Sequence, residues 1–285
     1  MRAVWQALTR RSGWLGLFGA TLLVVLVLLA LFGPWLDLPD PTRTNLRARM
    51  VGPTITWFSL GAHPLGTDQL GRDILSRIVA GSRVTLMVAG AAVLLGGVLG
   101  TLLGLISGYF GGWVDRILMR LVDIQLALPL MLLALMVVAA LGPSLRNLIG
   151  VLALVSWVRY ARIVRGQVLA VREREFVQSA RAIGASHSRI ILRHILPNVL
   201  TPALVVATLE LARVIVLEAG LSFLGLGIQP PDPSWGRMLA DGRTYISSAW
   251  WIITFPGLAL MLTVLAVNLL GDWLRDFFDP RLAVR

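Results

Sequence analysis

Charged side chains inside apolar segments are the residues of this sequence whose types and spacing could do chemistry. Glu210, Arg213 and Glu218 interrupt the apolar stretch from 199 to 226. An acid and an arginine three positions apart on a helix can pair, whereas Glu218 has no obvious local partner. Because a charge in an apolar layer is costly unless it is paired or lines a polar path, two interpretations stay open for each residue. Each residue either makes a structural contact or lies on a polar path through that layer.

Other reactive groups are few. The chain has no cysteine, so it has no thiolate nucleophile, disulfide or thiolate metal site. His63, His187 and His194 lie outside the apolar runs and show no metal-ligand spacing, so no metal site is expected. All 26 basic residues other than histidine are arginines, so a Gly-x-x-x-x-Gly-Lys-Ser/Thr phosphate loop is absent. The sequence predicts no enzyme activity, and it disfavours an intramembrane hydrolase, which would need a Ser, His or paired-Asp constellation within the apolar runs.

Composition places the chain in a membrane. Of its 285 residues 56% are hydrophobic and only 14% are charged, and the mean hydropathy is +0.78. Soluble domains carry about a quarter charged residues, and disordered chains are poor in apolar ones. We therefore expect an all-α integral membrane protein.

Six apolar runs are long enough, or nearly so, to cross a hydrocarbon layer of about 30 Å. The first follows arginines, as a signal peptide would, but it is too long and lacks an Ala-x-Ala site, so it predicts an uncleaved anchor. The fourth has only twelve residues, and we expect it to extend to about Ile163 with its arginines reaching polar surroundings. The runs are 13–36, 84–106, 124–141, 147–158, 199–226 and 250–270.

The positions of the arginines predict the topology. With both termini in the cytoplasm, 16 arginines fall in cytoplasmic segments and 9 in external ones. This bias follows the positive-inside rule. The net charge of +11 is therefore explained by topology, and no nucleic-acid partner is expected.

Two further patterns predict local structure. Ala92, Gly96, Gly100 and Gly104 recur every four residues, which allows another helix to approach closely. Before the second run, Thr67 or Asp68 could cap a short amphipathic helix lying at the membrane surface, with Leu70, Ile74, Ile78 and Val79 on one face.

The loop between the fourth and fifth runs, about 164–198, predicts two helices joined by a tight turn. Its first helix places Phe176, Val177, Ala180 and Ile183 on one face. Gly184 can end that helix in the left-handed conformation, Ser186 can cap the next helix, and Pro197 suits the first turn of the fifth span. A DNA-binding helix-turn-helix is disfavoured between two membrane spans. Two interpretations of the loop remain. It either only sets the topology, or it is a rigid peg that docks into a cytoplasmic partner.

The same loop resembles the EAA loop of ATP-binding-cassette (ABC) importer permeases. That motif is Glu-Ala-Ala, a glycine four residues later, and Leu-Pro thirteen residues after the glycine. Ala180, Gly184, Leu196 and Pro197 match it, while Gln178 replaces the glutamate and Ser179 the first alanine.

Other segments narrow the resemblance to "C"-type permeases of the dipeptide/oligopeptide (peptide/nickel) family. They are His63-Pro-Leu-Gly-Thr-Asp68 with Gly71-Arg-Asp73, Glu218-Ala-Gly-Leu-Ser-Phe-Leu-Gly-Leu-Gly227, Pro230-Pro-Asp-Pro-Ser-Trp-Gly236, and Asn268-Leu-Leu-Gly-Asp272 with Leu274-Arg-Asp276 and Asp279-Pro-Arg281.

The resemblance implies a type I ABC importer permease fold with six transmembrane helices in a bacterial plasma (inner) membrane. It implies an N-terminal region, 1–83, with the first span and an external loop, and a permease core, 84–285. The expected partners are a second homologous permease, two ABC ATPase subunits, an extracytoplasmic solute-binding protein and membrane lipid. The chain itself would hold no cofactor, since ATP and Mg²⁺ would bind to the ATPases. The coupling residues carried over are Gln178, Ser179, Ala180, Gly184, Leu196 and Pro197.

The predicted function is thus a permease subunit of an ATP-driven importer for di- or oligopeptides. One alternative is a secondary transporter driven by an ion gradient, although no internal repeat typical of that class is visible. Another is an ABC permease for a different solute, such as nickel complexes or glutathione.

Overall fold

The computed structural model describes residues 11–56, 59–60 and 63–278. Two of the arginines that precede the first apolar run, Arg2 and Arg10, lie outside these residues, as does the motif Asp279-Pro-Arg281. The regular secondary structure of the described residues is helical apart from a hairpin of two two-residue strands, β1 (Ile55–Thr56) and β2 (Ser59–Leu60). The helices are α1 (Arg11–Phe32), α2 (Ile74–Phe110), α3 (Gly112–Ala127), α4 (Leu130–Leu141), α5 (Leu145–Arg172), α6 (Glu175–Ala182), α7 (His187–Arg189), α8 (Leu196–Phe223), α9 (Trp235–Gly242) and α10 (Trp251–Phe278). A π-helical segment, Ile190–Ile195, joins α7 to α8.

Five helices are long and apolar enough to span a membrane, and α3 with α4 makes a sixth if this bent pair is counted as one span. The two helices meet at 92°, so the third apolar run, 124–141, is broken. Pro129 causes the break, because proline disfavours a helical conformation in the residue before it and has no N–H to donate. Leu128 is accordingly extended, with φ −87° and ψ 135°.

The prediction of a short surface helix before the second span is wrong. The helix α2 starts at Ile74, where Asp73 caps it by accepting a hydrogen bond from Ser76 N at 2.8 Å. The preceding residues form a tight turn, in which Asp68 Oδ1 accepts the backbone N–H groups of Leu70 and Arg72. Since α2 runs through the predicted boundary between 1–83 and 84–285, that division stays a prediction.

The predicted stripe of small residues on α2 packs against α5, which confirms close helix approach. A Cβ added to Gly104 would lie 2.7 Å from the carbonyl oxygen of Ala161, and one added to Gly96 would lie 2.8 Å from the carbonyl oxygen of Ala153. No side chain larger than hydrogen fits at such a separation without a shift of backbone. The prediction that the fourth span extends beyond residue 158 is also confirmed, because α5 continues to Arg172.

At the end of the bundle where α2 begins, α9 packs against α8 and α10. Two tryptophans link this region by hydrogen bonds: Trp235 Nε1 donates to the Ile78 carbonyl at 3.0 Å, and Trp251 Nε1 donates to the Thr67 carbonyl at 3.1 Å.

The loop between α1 and α2 contains one carboxylate with a shifted pKa. Hydrogen bonds from the Thr42 hydroxyl and backbone amide hold the pKa of Asp40 below its ordinary value.

Candidate coupling loop and intramembrane charges

The loop between α5 and α8 contains the predicted turn. Gly184 has φ +76°, so the left-handed conformation predicted for it is confirmed. Its N–H donates to the Arg181 carbonyl at 2.9 Å, and the N–H of Ala185 donates to the Ala180 carbonyl at 3.0 Å. These bonds satisfy carbonyls that the end of α6 leaves free. Ser186 lies at the N-cap position just before α7, but its side chain makes no capping hydrogen bond, so the predicted side-chain cap is wrong.

The apolar residues of α6 divide between two environments. Val177 and Ala180 are buried against the ends of α2 and α5, in one cluster with Tyr109 and Val168. In contrast, 41% of Phe176 and 85% of Ile183 are exposed. The face predicted for Phe176, Val177, Ala180 and Ile183 is therefore only partly buried, and Ile183 lies just after the end of α6. The short helix is anchored by one edge and presents apolar side chains on its outer surface.

Gln178 and Ser179 lie on the exposed side of α6. Gln178 Nε2 donates to the Arg172 carbonyl at 3.2 Å and lies 3.4 Å from Glu173 Oε2. The amide therefore links α6 to the end of α5. A glutamate, as in the EAA motif, has no N–H to donate and would place a second carboxylate beside Glu173.

The second half of the loop continues into the fifth span without a break. Leu196 is the first residue of α8, and Pro197 lies in its first turn as predicted. Proline cannot donate to the carbonyl one turn earlier, and the wider π-helical turn precedes it. Asn198 Nδ2 donates to the nearby His194 carbonyl at 2.7 Å. Ile190 and Ile195 are buried in the same cluster as Val177.

A contact between α2 and the loop was not predicted from the sequence. The Tyr109 hydroxyl lies 2.7 Å from His187 Nδ1, and the Arg181 guanidinium lies 5.3 Å from the centre of the Tyr109 ring. These residues are far apart along the chain, so no local pattern indicates the contact. It holds both helices of the loop against the end of α2.

Of the intramembrane charges, Glu210 and Arg213 do approach each other, at 3.5 Å. A closer partner of Glu210 Oε1 comes from α5, because Arg159 Nη1 lies 3.1 Å away. Sequence reasoning missed this contact, treating Arg159 only as an arginine that reaches polar surroundings. The carboxylate is buried, and the contact joins α5 to α8.

Glu218 has partners, so the expectation of no obvious local partner is wrong. The Ser222 hydroxyl, one turn later on α8, donates to Glu218 Oε1 at 2.7 Å, and Thr85 Oγ1 of α2 lies 3.4 Å from Oε2. Ser222 in turn accepts the N–H of Ile228 at 3.1 Å. The i, i+4 spacing to Ser222 was a usable signal in the sequence, whereas the contact with Thr85 was not.

A second group of buried charges lies where α2 begins. Asp68 Oδ2 accepts from Arg72 Nε at 2.7 Å and from Arg77. Both arginines also lie 3.6 Å from Asp241 Oδ2 of α9, and Arg237 pairs with the same carboxylate. This network, which sequence reasoning also missed, joins the start of α2 to α9.

Known proteins resemble this chain over most of its length. Residues 100–284 match the family "Binding-protein-dependent transport system inner membrane component". The chain is 45% identical over 269 residues to the dipeptide transport system permease protein DppC of Alkalihalophilus pseudofirmus, covering 94% of this chain and 86% of the relative. It is 47% identical over 221 residues to the glutathione transport system permease protein GsiD of Pectobacterium atrosepticum, covering 78% and 73%.

The fold also resembles a solved structure. A chain of the inward-facing MetNI methionine ABC transporter superposes with a TM-score of 0.58 at 20% identity, covering 71% of this chain and 97% of that one. At this identity the likeness concerns the fold, and it agrees with the predicted type I importer permease architecture. Together with the apolar helices, the sequence matches identify the chain as a multi-pass plasma-membrane protein that belongs to the family of inner-membrane components of binding-protein-dependent transport systems.

Proposed function

We propose that this chain is a permease subunit of an ATP-driven importer for di- or oligopeptides. It would form the translocation pathway with a second, homologous permease and receive its solute from an extracytoplasmic solute-binding protein. Two cytoplasmic ABC ATPases would bind ATP and Mg²⁺ and drive the cycle, and this chain would hold no cofactor. The names of relatives that transport dipeptides support the choice of solute.

The loop between α5 and α8 is the observation that carries the proposal. Its inner side is packed against α2, α5 and α8 through Val177, Ala180, Ile190 and Ile195, so a displacement of the loop must move these helices. Its outer side presents Ile183, Phe176 and Leu192. These apolar side chains suit a groove on an ATPase surface.

Coupling would follow from this rigid packing. Closure of the two ATPases on ATP would displace the docked loop, and the loop would carry the displacement into α5 and α8. A nucleotide can shift the permease between inward-facing and outward-facing states only by binding these states with different affinity. Gln178, Ser179, Ala180, Gly184, Leu196 and Pro197 are assigned to this coupling element.

Reconstitution of the complete importer in proteoliposomes tests the proposal. Uptake of a labelled dipeptide should require ATP on the ATPase side and the binding protein on the other, and a protonophore should not reduce it. An ion-gradient transporter would give the reverse result. Uptake that persists without ATP and collapses with the protonophore would contradict the proposal.

Competition identifies the solute class. An excess of unlabelled dipeptide should suppress uptake, whereas glutathione and a nickel complex should not. Stronger competition by glutathione would favour the solute of the Pectobacterium relative and would contradict the assignment to dipeptides.

A further inference from the structure

The carboxylate of Glu210 is shared by two arginines near the middle of two packed helices. Arg159 and Glu210 each stand at the fifteenth position of a 28-residue helix, α5 and α8 respectively. At about 1.5 Å rise per residue, each lies roughly 20 Å from either end of its helix. Arg159 Nη1 and Arg213 Nη1 approach the same oxygen, Oε1, at 3.1 and 3.5 Å.

This cluster carries more positive than negative charge. Within the described residues, Arg159 and Arg213 pair with Glu210 and with no other carboxylate. One negative charge therefore faces two positive ones. Oε2 of the same carboxylate is buried and has no hydrogen-bond partner among the described residues, and the buried hydroxyl of Tyr160, beside Arg159, has none either.

The cluster is open on one side. The side chain of Glu210 is 2% exposed, whereas those of Arg159 and Arg213 are 50% and 23% exposed. Charged side chains at this depth face a polar cavity or another protein helix, since contact with lipid tails is costly. The half of the Arg159 side chain that Glu210 does not cover is therefore accessible to a polar ligand or to a partner helix.

We propose that Arg159 and Arg213 bind the C-terminal carboxylate of a peptide as it passes through the permease, and that Glu210 positions them. The inference rests on the proposed function, because it names a contact of the peptide on that pathway. A guanidinium binds a carboxylate through two parallel hydrogen bonds. Glu210 keeps the two arginines in place and neutralises one of their charges, so the peptide is held weakly enough to leave.

The first test compares Arg159→Gln with Arg162→Gln in the reconstituted importer. Arg162 is a matched control, because it lies on the same helix with 53% of its side chain exposed and pairs with Asp123. Arg159→Gln should keep ATP hydrolysis stimulated by the binding protein but lower the peptide delivered per ATP about tenfold, the usual effect of losing a charged hydrogen bond. Arg162→Gln should leave this ratio unchanged. Equal ratios in the two variants would overturn the proposal.

A second measurement does not require Arg159 to be changed. Val216, one turn from Arg213 and 52% exposed, is replaced by cysteine, the only thiol in the chain. A sulfonate-bearing thiosulfonate should label it several-fold faster than an ammonium-bearing one of similar size. A dipeptide should slow the labelling, and its C-terminal amide at equal concentration should not. Absence of labelling by both reagents, or equal protection by the two peptides, would overturn the site.

Failure of the proposed function gives a different result from failure of this site. If the unmodified importer takes up no dipeptide, the proposed function fails, and the ratio of the two labelling rates still decides whether the arginines attract anions. The outcome is different if the importer takes up dipeptide, but Arg159→Gln and Arg162→Gln deliver equal amounts of peptide per ATP and the C-terminal amide protects as well as the dipeptide. In that case only the present inference fails.

Discussion

Gly184 shows how one residue determines the shape of the cytoplasmic loop. Its φ of +76° lies in the left-handed region, which costs a residue with a Cβ about 1 kcal/mol or more. A Cβ at this position would contact no atom within 4 Å. The penalty for substitution is therefore a backbone penalty, and it acts on the turn that places α6 relative to α7.

We predict that Gly184→Val inserts into the membrane normally but weakens docking of the ATPases, because the apolar spans are unchanged while the turn is strained. Co-purification of the ATPases and solute-stimulated ATP turnover should both fall several-fold. Gly184→Asn should retain most of the activity, since asparagine tolerates the left-handed region. Gly166→Ala is the control, because its Cβ also meets open space but its φ is not positive. Wild-type stimulation in Gly184→Val would contradict the coupling role.

At the scale of elements, the network of Asp68, Arg72, Arg77 and Asp241 holds the start of α2 against α9. Asp68 is fully buried and Arg77 is 3% exposed. Removal of one partner from a buried ion pair leaves an uncompensated charge, which typically costs about 3–5 kcal/mol. The network therefore determines whether these two elements stay together, although its net contribution relative to apolar packing is small.

Asp68→Asn is predicted to destabilise the protein by about 3–5 kcal/mol, because Arg72 and Arg77 lose their nearer carboxylate and keep only Asp241 at 3.6 Å. Thermal unfolding of the detergent-solubilised chain should show a lower midpoint, and limited proteolysis should cut first near α9. Asp232→Asn is the control: this carboxylate is exposed, and its loss should change stability by no more than about 0.5 kcal/mol. Equal midpoints for the two variants would show that the network does not hold α9.

For the whole molecule, the orientation in the membrane follows from the distribution of arginines. Arg159 lies midway along α5, and without it 15 cytoplasmic arginines still exceed the 9 external ones. With both termini in the cytoplasm, the loop before α2 and the segment before α9 lie outside, and the loop between α5 and α8 lies inside. Thr44, Asp232 and Ser188 are exposed representatives of these three segments.

Single cysteines in this naturally cysteine-free chain test the orientation. Thr44→Cys and Asp232→Cys should react with a membrane-impermeant thiol reagent in intact cells, whereas Ser188→Cys should react only after lysis. The unsubstituted chain supplies the background. Labelling of Ser188→Cys in intact cells would reverse the topology and remove the basis for docking to cytoplasmic ATPases.

Much of the fold and part of the candidate site could be predicted because the underlying physics is local. Apolar runs predict spans, and the spacing of Gly96, Gly100 and Gly104 predicts close packing. The turn at Gly184 and the start of α8 near Pro197 depend on backbone geometry within a few residues. A helix break at Pro129 follows from the same local rules, although the length of the apolar run concealed it.

The remaining features were decided by tertiary structure, because they depend on which helices pack together. Thr85 approaches Glu218 across 133 positions of sequence, and no local pattern selects Arg159 rather than Arg213 as the closer partner of Glu210. The sequence by itself determined a membrane protein with a structured cytoplasmic loop. Only the packing of α5 against α8 added Arg159 to the pair that the spacing of Glu210 and Arg213 already predicted, since a charge in an apolar interior also takes a partner from whichever helix lies beside it.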